Sequence, residues 1–425
     1  MAILSVNAWT RQGSSASGFL RPGVPYSPPQ AGSQDYVTVQ FFNSSLVGLG
    51  PLQFVNLTAT IYYNAVGSWS MLVPYSDALW NQMMAGDFIV EINWRGLFTV
   101  GGKCEQPGYI DSIPGSAAGA QYSGPFITLS GADYLGLIAN RIAFPNPAVA
   151  WTAQTSSATD AVSATPLETA IKHYVNGNIG PGAIAARRMS LLAIGANLAR
   201  GANVSYTVKL GSGVDLNLLD LVRTLIASTS TNMGVSVTRS GKVLTFDVYV
   251  PRDLTGKAWF SESLGNLTAV NFYLTDPTVT DALYQGSGTN FISKVAASKT
   301  SWNTVEQFTD DSSETDLNNL NAAAQQTLAA NGFGPAMNAT VADIPFLTYG
   351  RDYRLGDIVT VEVRPGATYS DVVSSVTLTA DPTQTPPMSI VPTIGNSSNA
   401  TSTDQSIIGQ LTNRIKVLEK KLATK

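Results

Sequence analysis

Residues 54–74, FVNLTATIYYNAVGSWSMLVP, alternate apolar and polar side chains with a period of two, broken at NAVGS. Successive side chains of a strand point to opposite faces, so this stretch predicts two antiparallel strands with a turn at 64–68 between them. The same period continues in DYVTVQFF before it and in FIVEINW and GLFTVGG after it. From about Tyr36 to Gly102 the expectation is therefore antiparallel sheet, closed as a small barrel. One short helix, SDALWNQMMAG, interrupts it, with Ser76 or Asp77 as N-cap and Gly86 as the C′ residue.

Between about 125 and 225 the pattern changes. SGADYLGLIANRIAF and TPLETAIKHYVNGNIG carry helical spacing, with stop signals at Pro145 and at Asn176-Gly177, and DLNLLDLVRTLIAST adds a third amphipathic helix. An α/β unit inserted between sheet segments fits this arrangement. Strands return in GVSVTRSGKVLTFDVYVP, a hairpin turning at Ser240-Gly241, and in NLTAVNFYLTD. An acidic, Ala-rich helix is expected at about 314–331, followed by strands in RDYRLGDIVTVEVRPG and DVVSSVTLTA. Residues 381–402 are rich in Pro, Ser and Asn and read as a linker. No repeat of 20–50 residues is present, which argues against a solenoid or propeller.

Composition narrows the function. Charged residues make up 13% of the 425, about half the share of an average soluble protein, and Gly, Ser, Thr and Asn take their place. Such a surface suits an assembly subunit. A formal net charge of −4 leaves no basic patch for sequence-specific nucleic-acid binding. Cys104 is the sole cysteine, so no intrachain disulfide forms. The N-terminal MAILSVNAWTRQG lacks a signal-peptide pattern, and no run of about 18 apolar residues predicts stable membrane insertion.

The search for chemistry returns mostly negatives. His173 is the only histidine, so a two-histidine zinc site is excluded by count, and no G-x-S-x-G elbow accompanies it. Its plain reading is a helix-face residue. The densest acid cluster, Asp310, Asp311, Glu314 and Asp316, reads as a helix start capped by Ser313 or Thr315, since an EF-hand loop from Asp310 would have Thr315 and Asn321 where Gly and Glu belong. GSGVDL at 211 and GNIGPG at 177 fail the nucleotide-loop patterns. No catalytic, cofactor-binding or metal-binding residue is assigned, and no cofactor is expected.

Taken as a set, YYNAVGSWSMLVP (62–74), VEINWRGLFTVGG, LSGADYLGLIANRI, ETAIKHYVNGNIGPGA, VLTFDVYVPRDLTGKAWFSESLGNL and YRLGDIVTVEV resemble the minor tail proteins that form the tail-tip hub of long-tailed phages of Gram-positive bacteria. The likeness covers most of residues 36–380 and extends distantly to the baseplate hub of contractile phages. It implies a mixed α+β subunit with β-barrel-like tube domains and an inserted lateral α/β domain, three copies of which form a ring. The corresponding division is 1–124 N-terminal tube domain, 125–225 lateral domain, 226–290 β segment of a second tube barrel, 291–345 helical insertion, 346–380 closing strands, 381–402 linker and 403–425 coiled coil. Within it, Gly356-Asp357 forms the turn before a buried strand. It further implies a homotrimer at the virion tail tip, made in the bacterial cytoplasm. Its partners would be a distal tail or tail tube protein, the tape measure protein, and fibre or spike proteins. Some hub relatives end in a cell-wall hydrolase domain, whereas here a short coil follows the linker, so no enzyme is expected.

That coil, DQSIIGQLTNRIKVLEKKL at 404–422, places Ile408, Ile415 and Leu422 at a and Leu411 and Leu418 at d of a heptad. Arg414 at g can pair with Glu419 at the e position of a neighbouring chain. Ile at a with Leu at d alone leans toward dimers; the hub resemblance requires three. At about 28 Å the helix is marginal in isolation, so it would lock a trimer rather than create one. Two other functions fit parts of the sequence. A tail-tip hydrolase of cell wall or polysaccharide could use carboxylates alone, and a receptor-binding trimer could stack sugars on Trp151 or Trp259.

Overall fold

The computed structural model describes residues 37–110, 125–210, 217–229, 231–312, 314–332, 334–381 and 387–395. The chain begins with β1 (Val37–Asn43), β2 (Gly48–Leu52), β3 (Asn56–Tyr62) and β4 (Ala65–Pro74). The turn between β3 and β4 is shorter than NAVGS: only Tyr63 and Asn64 connect them, Asn64 taking the left-handed conformation (φ 53) that Asn tolerates. Ala65 to Ser68 already pair as strand. Next come α1 (Asp77–Met84), β5 (Phe88–Trp94), β6 (Phe98–Lys103), β7 (Gln106–Ile110) and β8 (Phe126–Ala132). Ser76 caps α1 by accepting from the Leu79 N–H at 3.2 Å, and Gly86 follows its C-cap Ala85.

The helix expected across residues 130–144 shrinks to the single turn α2 (Gly136–Ala139), because Phe126–Ala132 is drawn into the sheet beside β4. Then follow β9 (Thr159–Pro166), α3 (Leu167–Asn178), β10 (Leu192–Ile194), β11 (Asn203–Lys209), α4 (Leu218–Ala227), β12 (Gly234–Ser240) and β13 (Val243–Tyr249). The chain continues through β14 (Trp259–Phe260), β15 (Leu267–Thr275), β16 (Asp281–Gln285), β17 (Phe291–Val295), β18 (Glu306–Asp310) and α5 (Leu317–Ala330). It closes with β19 (Gly334–Val341), β20 (Ile358–Arg364), β21 (Ala367–Ala380) and β22 (Met388–Ile394). As expected, Gly356 (φ 84) turns the chain into β20, whose Val359 and Val361 are buried. The α5 cap is Asp316, which accepts from the Asn318 N–H at 2.8 Å, rather than Ser313 or Thr315.

No barrel closes among the described residues. Instead β15-β19-β22-β21-β3-β4-β8-β7 form one continuous run, with β14 and β20 attached to β21 outside it. The pairing of β21 with β3 matters most: the early strands and the late strands, expected in separate barrels, share one sheet. A four-stranded sheet, β2-β1-β5-β6, packs on its inner face, and Val39, Val90, Ile92, Leu57, Trp69, Met71, Ile127, Leu378 and Met337 belong to a single core between them. Residues 388–394, expected in a linker, are the inner strand β22: Ile390 and Ile394 enter that core, an alternation hidden by the flanking Pro and Ser.

A second core unites α2, α3 and α4 with β9–β13, including Ile138, Tyr174, Leu221, Tyr206 and Phe246. The hairpin β12–β13 turns at Gly241 (φ 60) as expected, but it packs in this second core through Val235, Leu244 and Val248 rather than in a second tube barrel. Residues 281–330 are a third unit, a sheet β17-β16-β18 backed by α5; α5 falls within the helical insertion expected at 291–345, and strands β17 and β18 precede it there.

Ion pairs sit at the joints. Arg239 of β12 pairs with Glu91 of β5 while its guanidinium lies 4.1 Å over the Phe42 ring. Arg252 bonds Asp357 at 2.6 Å, and Lys209 of β11 meets the buried Glu314 ahead of α5.

Candidate functional site

In the eight-strand run, the side chains at alternate positions leave the core and form a second face. Its composition is unusual. The register lays Ser389, Thr379, Thr58, Ser70, Ser130 and Gln106 in one row across six strands. A neighbouring row reads Val391, Thr377, Thr60, Ser68 and Ala132. A third reads Thr340, Thr393, Ser375 and Tyr62, and Ala269 and Asn271 of β15 extend the face beside Thr340 and Asn338. None of these positions is Asp, Glu, Lys or Arg.

The solvent side of an antiparallel sheet ordinarily carries charged residues for solubility. Here short hydroxyls replace them. Thr58, Ser68, Ser70 and Gln106 are exposed, while Thr60, Ser130 and Thr377 are half-buried, and the Thr60 and Thr377 hydroxyls lie 3.3 Å apart in a cross-strand hydrogen bond. A shallow trough of about 500 Å³ runs over Thr58, Thr60, Ser68, Ser70 and Ser130, with Glu105 at its rim. Hydroxyls hold water through both donor and acceptor sites. Lacking fixed cations, the face offers no phosphate an ion pair; lacking broad apolar area, it gives little for an unfolded chain to adhere to.

The histidine, the cysteine and the acid cluster are held in structural roles. His173 Nε2 lies 2.7 Å from Asp160 Oδ1, and this hydrogen bond raises the imidazole above its ordinary pKa. Burial pushes the Cys104 thiol up to about 11, which keeps it protonated and unreactive at neutral pH. Within the acid cluster, Asp316 caps α5, Glu314 is buried against Lys209, and Asp310 accepts from the Ser312 N–H, so the carboxylates do not converge on one site. Trp151 and Trp259 are exposed on different elements. No group of His, Cys, Asp or Glu suited to a metal ion occurs among the described residues, and no described helix is long and apolar enough to cross a membrane. The coil residues Ile408, Leu411, Arg414, Ile415, Leu418, Glu419 and Leu422 lie outside the described residues.

The buried carboxylate of Glu168 belongs to a packing cluster. Burial alone would raise the Glu168 carboxyl, but Arg200 and Lys172 and two backbone N–H groups outweigh it and hold the group at about 2. Its Oε2 accepts from Arg200 Nε at 2.8 Å and its Oε1 from Lys172 Nζ at 2.7 Å, while Lys172 also reaches Asp247 of β13 at 2.7 Å. This network fastens the uncapped start of α3, where the Leu167 and Glu168 N–H groups donate to Ala202 and Arg200 carbonyls. It is a joint, not a reaction centre.

The hydroxyl face was missed in the sequence, although its signal was present: the polar positions of NLTAT, GSWS and SSVTLTA are nearly all Ser or Thr.

The fold resembles solved tail proteins of low sequence identity. The 43 kDa tail protein of prophage MuSo2 from Shewanella oneidensis matches with a TM-score of 0.48 at 10% identity, covering 85% of this chain and 97% of that one. A tail protein from Neisseria meningitidis MC58 matches at 0.46 and 12%, covering 85% and 97%. Prophage tail protein gp18 from Listeria monocytogenes EGD-e matches at 0.46 and 16%, covering 89% and 99%. No curated protein sequence matches the chain. Residues 39–396 match the family described as Siphovirus ReqiPepy6 Gp37-like protein. With the match spanning most of its length, the chain belongs to that family.

Proposed function

We propose that the chain is the structural hub of the tail tip, a homotrimeric ring through which DNA leaves the virion. The uncharged hydroxyl face of the eight-strand run carries this reading. Three such runs supply 24 strands. At about 4.8 Å between strands they would close a ring roughly 37 Å across between backbones, wider still if the strands tilt. With a side-chain layer of about 5 Å on each wall, half of the roughly 10 Å spacing of stacked sheets, the opening is about 27 Å, wide enough for hydrated duplex DNA. A polyanion slides along a wall without cations because no phosphate is held by an ion pair.

In this reading the second core, residues 134–248, is the lateral domain on the outside of the ring. The distal tail or tube protein and the tape measure protein meet one rim, and fibre or spike proteins hang from the other. The segment 403–425 clasps the three chains through Ile408, Leu411, Ile415, Leu418 and Leu422, with Arg414 facing Glu419 across each interface. The role is assembly and conduit formation rather than catalysis. Mass measurement in solution at micromolar concentration tests it: a trimer is expected, and a monomer or dimer contradicts it.

A further inference from the structure

Residues 276–316 hold seven carboxylates against two lysines, a net of −5 in a chain whose total is −4. They include the sheet β17-β16-β18, of which α5 covers one face through Ala282 and Tyr284. On the other face, register puts Phe291, Gln285 and Asp310 in one row and Ser293, Leu283 and Phe308 in the next. Phe291 is 64% and Phe308 61% exposed, and Trp302, between β17 and β18, is 98% exposed. Its turn is tied down, since Thr300 donates from both its N–H and its hydroxyl to Asn303 Oδ1. β16 and β18 pair in parallel, an arrangement ordinarily found with both faces covered. Asp281 on this face is neutralised by Lys299 at 2.6 Å, whereas Glu306 and Asp310 of β18 have no cation among the described residues.

The same chain carries a second apolar surface that needs a cover. The stripe Ile408, Leu411, Ile415, Leu418 and Leu422 belongs to a segment, 404–425, with five Lys or Arg against two acids. In the coil register Arg414 and Lys421 lie on the g flank of the stripe, two helical turns or about 10 Å apart, and Glu306 and Asp310 are about 13 Å apart along β18. Until three copies meet, the stripe has no coil to enter, and a helix of this length is marginal alone. Reach permits another cover. The described residues end at Gly395, which lies against the Met337 carbonyl of β19. Met337 is three residues, about 10 Å, from Gly334, where β19 leaves the third unit. Residues 396–403 add up to about 26 Å. Three helical turns, about 16 Å, match the length of a five-residue strand, about 17 Å.

We infer that in the unassembled chain residues 404–425 lie on the outer face of β17-β16-β18 of the same chain. Leu411, Ile415 and Leu418 cover Phe291, Leu283 and Phe308, and Arg414 and Lys421 meet the acidic β18 edge. The sheet then has a helix on each face. When three copies join, the same stripe passes to the coil, and because both contacts bury the same side chains, each excludes the other. The face thus keeps the clasp from pairing before the ring has formed. The inference rests on the coil of the reading above for its second state, while its first state belongs to the single chain.

Cross-linking of the full-length protein tests it. Thr412 lies on the e flank, which faces β17 in this arrangement. The double variant Ser293→Cys, Thr412→Cys, treated with a short bis-maleimide at nanomolar concentration, below that at which copies associate, should be bridged within one chain, as read by mass spectrometry after digestion. Cys104 is buried and stays unmodified. Adding Phe308→Asp, at an exposed position, or reversing the basic flank with Arg414→Glu and Lys421→Glu, should each slow bridging at least tenfold with an unchanged circular dichroism spectrum; a segment that is merely tethered would bridge at the same rate. In trimers the bridge should be lost. Bridging that neither change slows, bridging between chains in place of within one, or bridging as fast in trimers as in single chains overturns the inference and leaves the ring standing. A chain that forms no trimer removes the ring reading, while bridging in that single chain still decides this contact.

Discussion

Glu168 shows how a single residue fixes a joint in a chain with few charges. Its side chain is fully buried, and three elements meet on it: the first turn of α3, the segment carrying Arg200, and β13 through Lys172 and Asp247. A pair of this kind contributes little when intact, because desolvation offsets the attraction; removing one partner leaves uncompensated charge inside. Glu168→Ala should therefore destabilise the protein by roughly 3–5 kcal/mol, read as a lower urea midpoint at pH 7. The pH dependence has a definite sign. The folded carboxyl titrates near 2 against 4.5 for a free one, so its contribution is complete above about 4.5 and is lost as pH falls from there toward 2. The parent should lose urea resistance across that window more steeply than Glu168→Ala; equal slopes would deny the network its role.

At the scale of elements, local alternation was legible and partners were not. The strands at 54–74, the Ser240-Gly241 hairpin and the Ser76 cap could be read because each depends on residues within a few positions. The pairing of β3 with β21, more than 300 residues later, leaves no trace in either strand's own pattern. It turns two expected barrels into one sheet. β22 was hidden for a related reason: Pro387 and Pro392 mimic a linker, yet Pro392 sits at Val376 in the paired register and the strand still alternates. The hydroxyl face was legible only in part, since Ser and Thr read simply as polar until the register aligned them in rows. Close approach of two sheets depends on an element-level detail as well. A Cβ on Gly102 of β6 would lie 1.8 Å from the Ala132 carbonyl oxygen at the end of β8, which is backbone and cannot swing aside. Gly102→Ala should cost about 3 kcal/mol through forced separation of β6 and β8, measured by thermal or urea melting; a neutral effect would mean that the two sheets meet differently.

Over the whole molecule, charge is sorted by position. Glu91–Arg239, Arg252–Asp357 and Lys209–Glu314 stand at the joints between units and Glu168–Arg200 joins elements within the second, while the rows of one broad sheet face carry hydroxyls, amides and a few apolar groups, with Glu105 at the rim. A freely diffusing protein gains solubility by spreading charge over its surface. Withholding it from one face across eight strands is intelligible if that face looks into a channel rather than outward. The decisive measurement is an image of the assembled protein or of the virion tail tip at a resolution that traces strands. The account predicts three copies around an axial opening of about 27 Å, with Thr58, Ser70 and Thr377 facing the opening and residues 134–248 outside. A ring with that face turned outward, or an assembly without an axial opening, would contradict it.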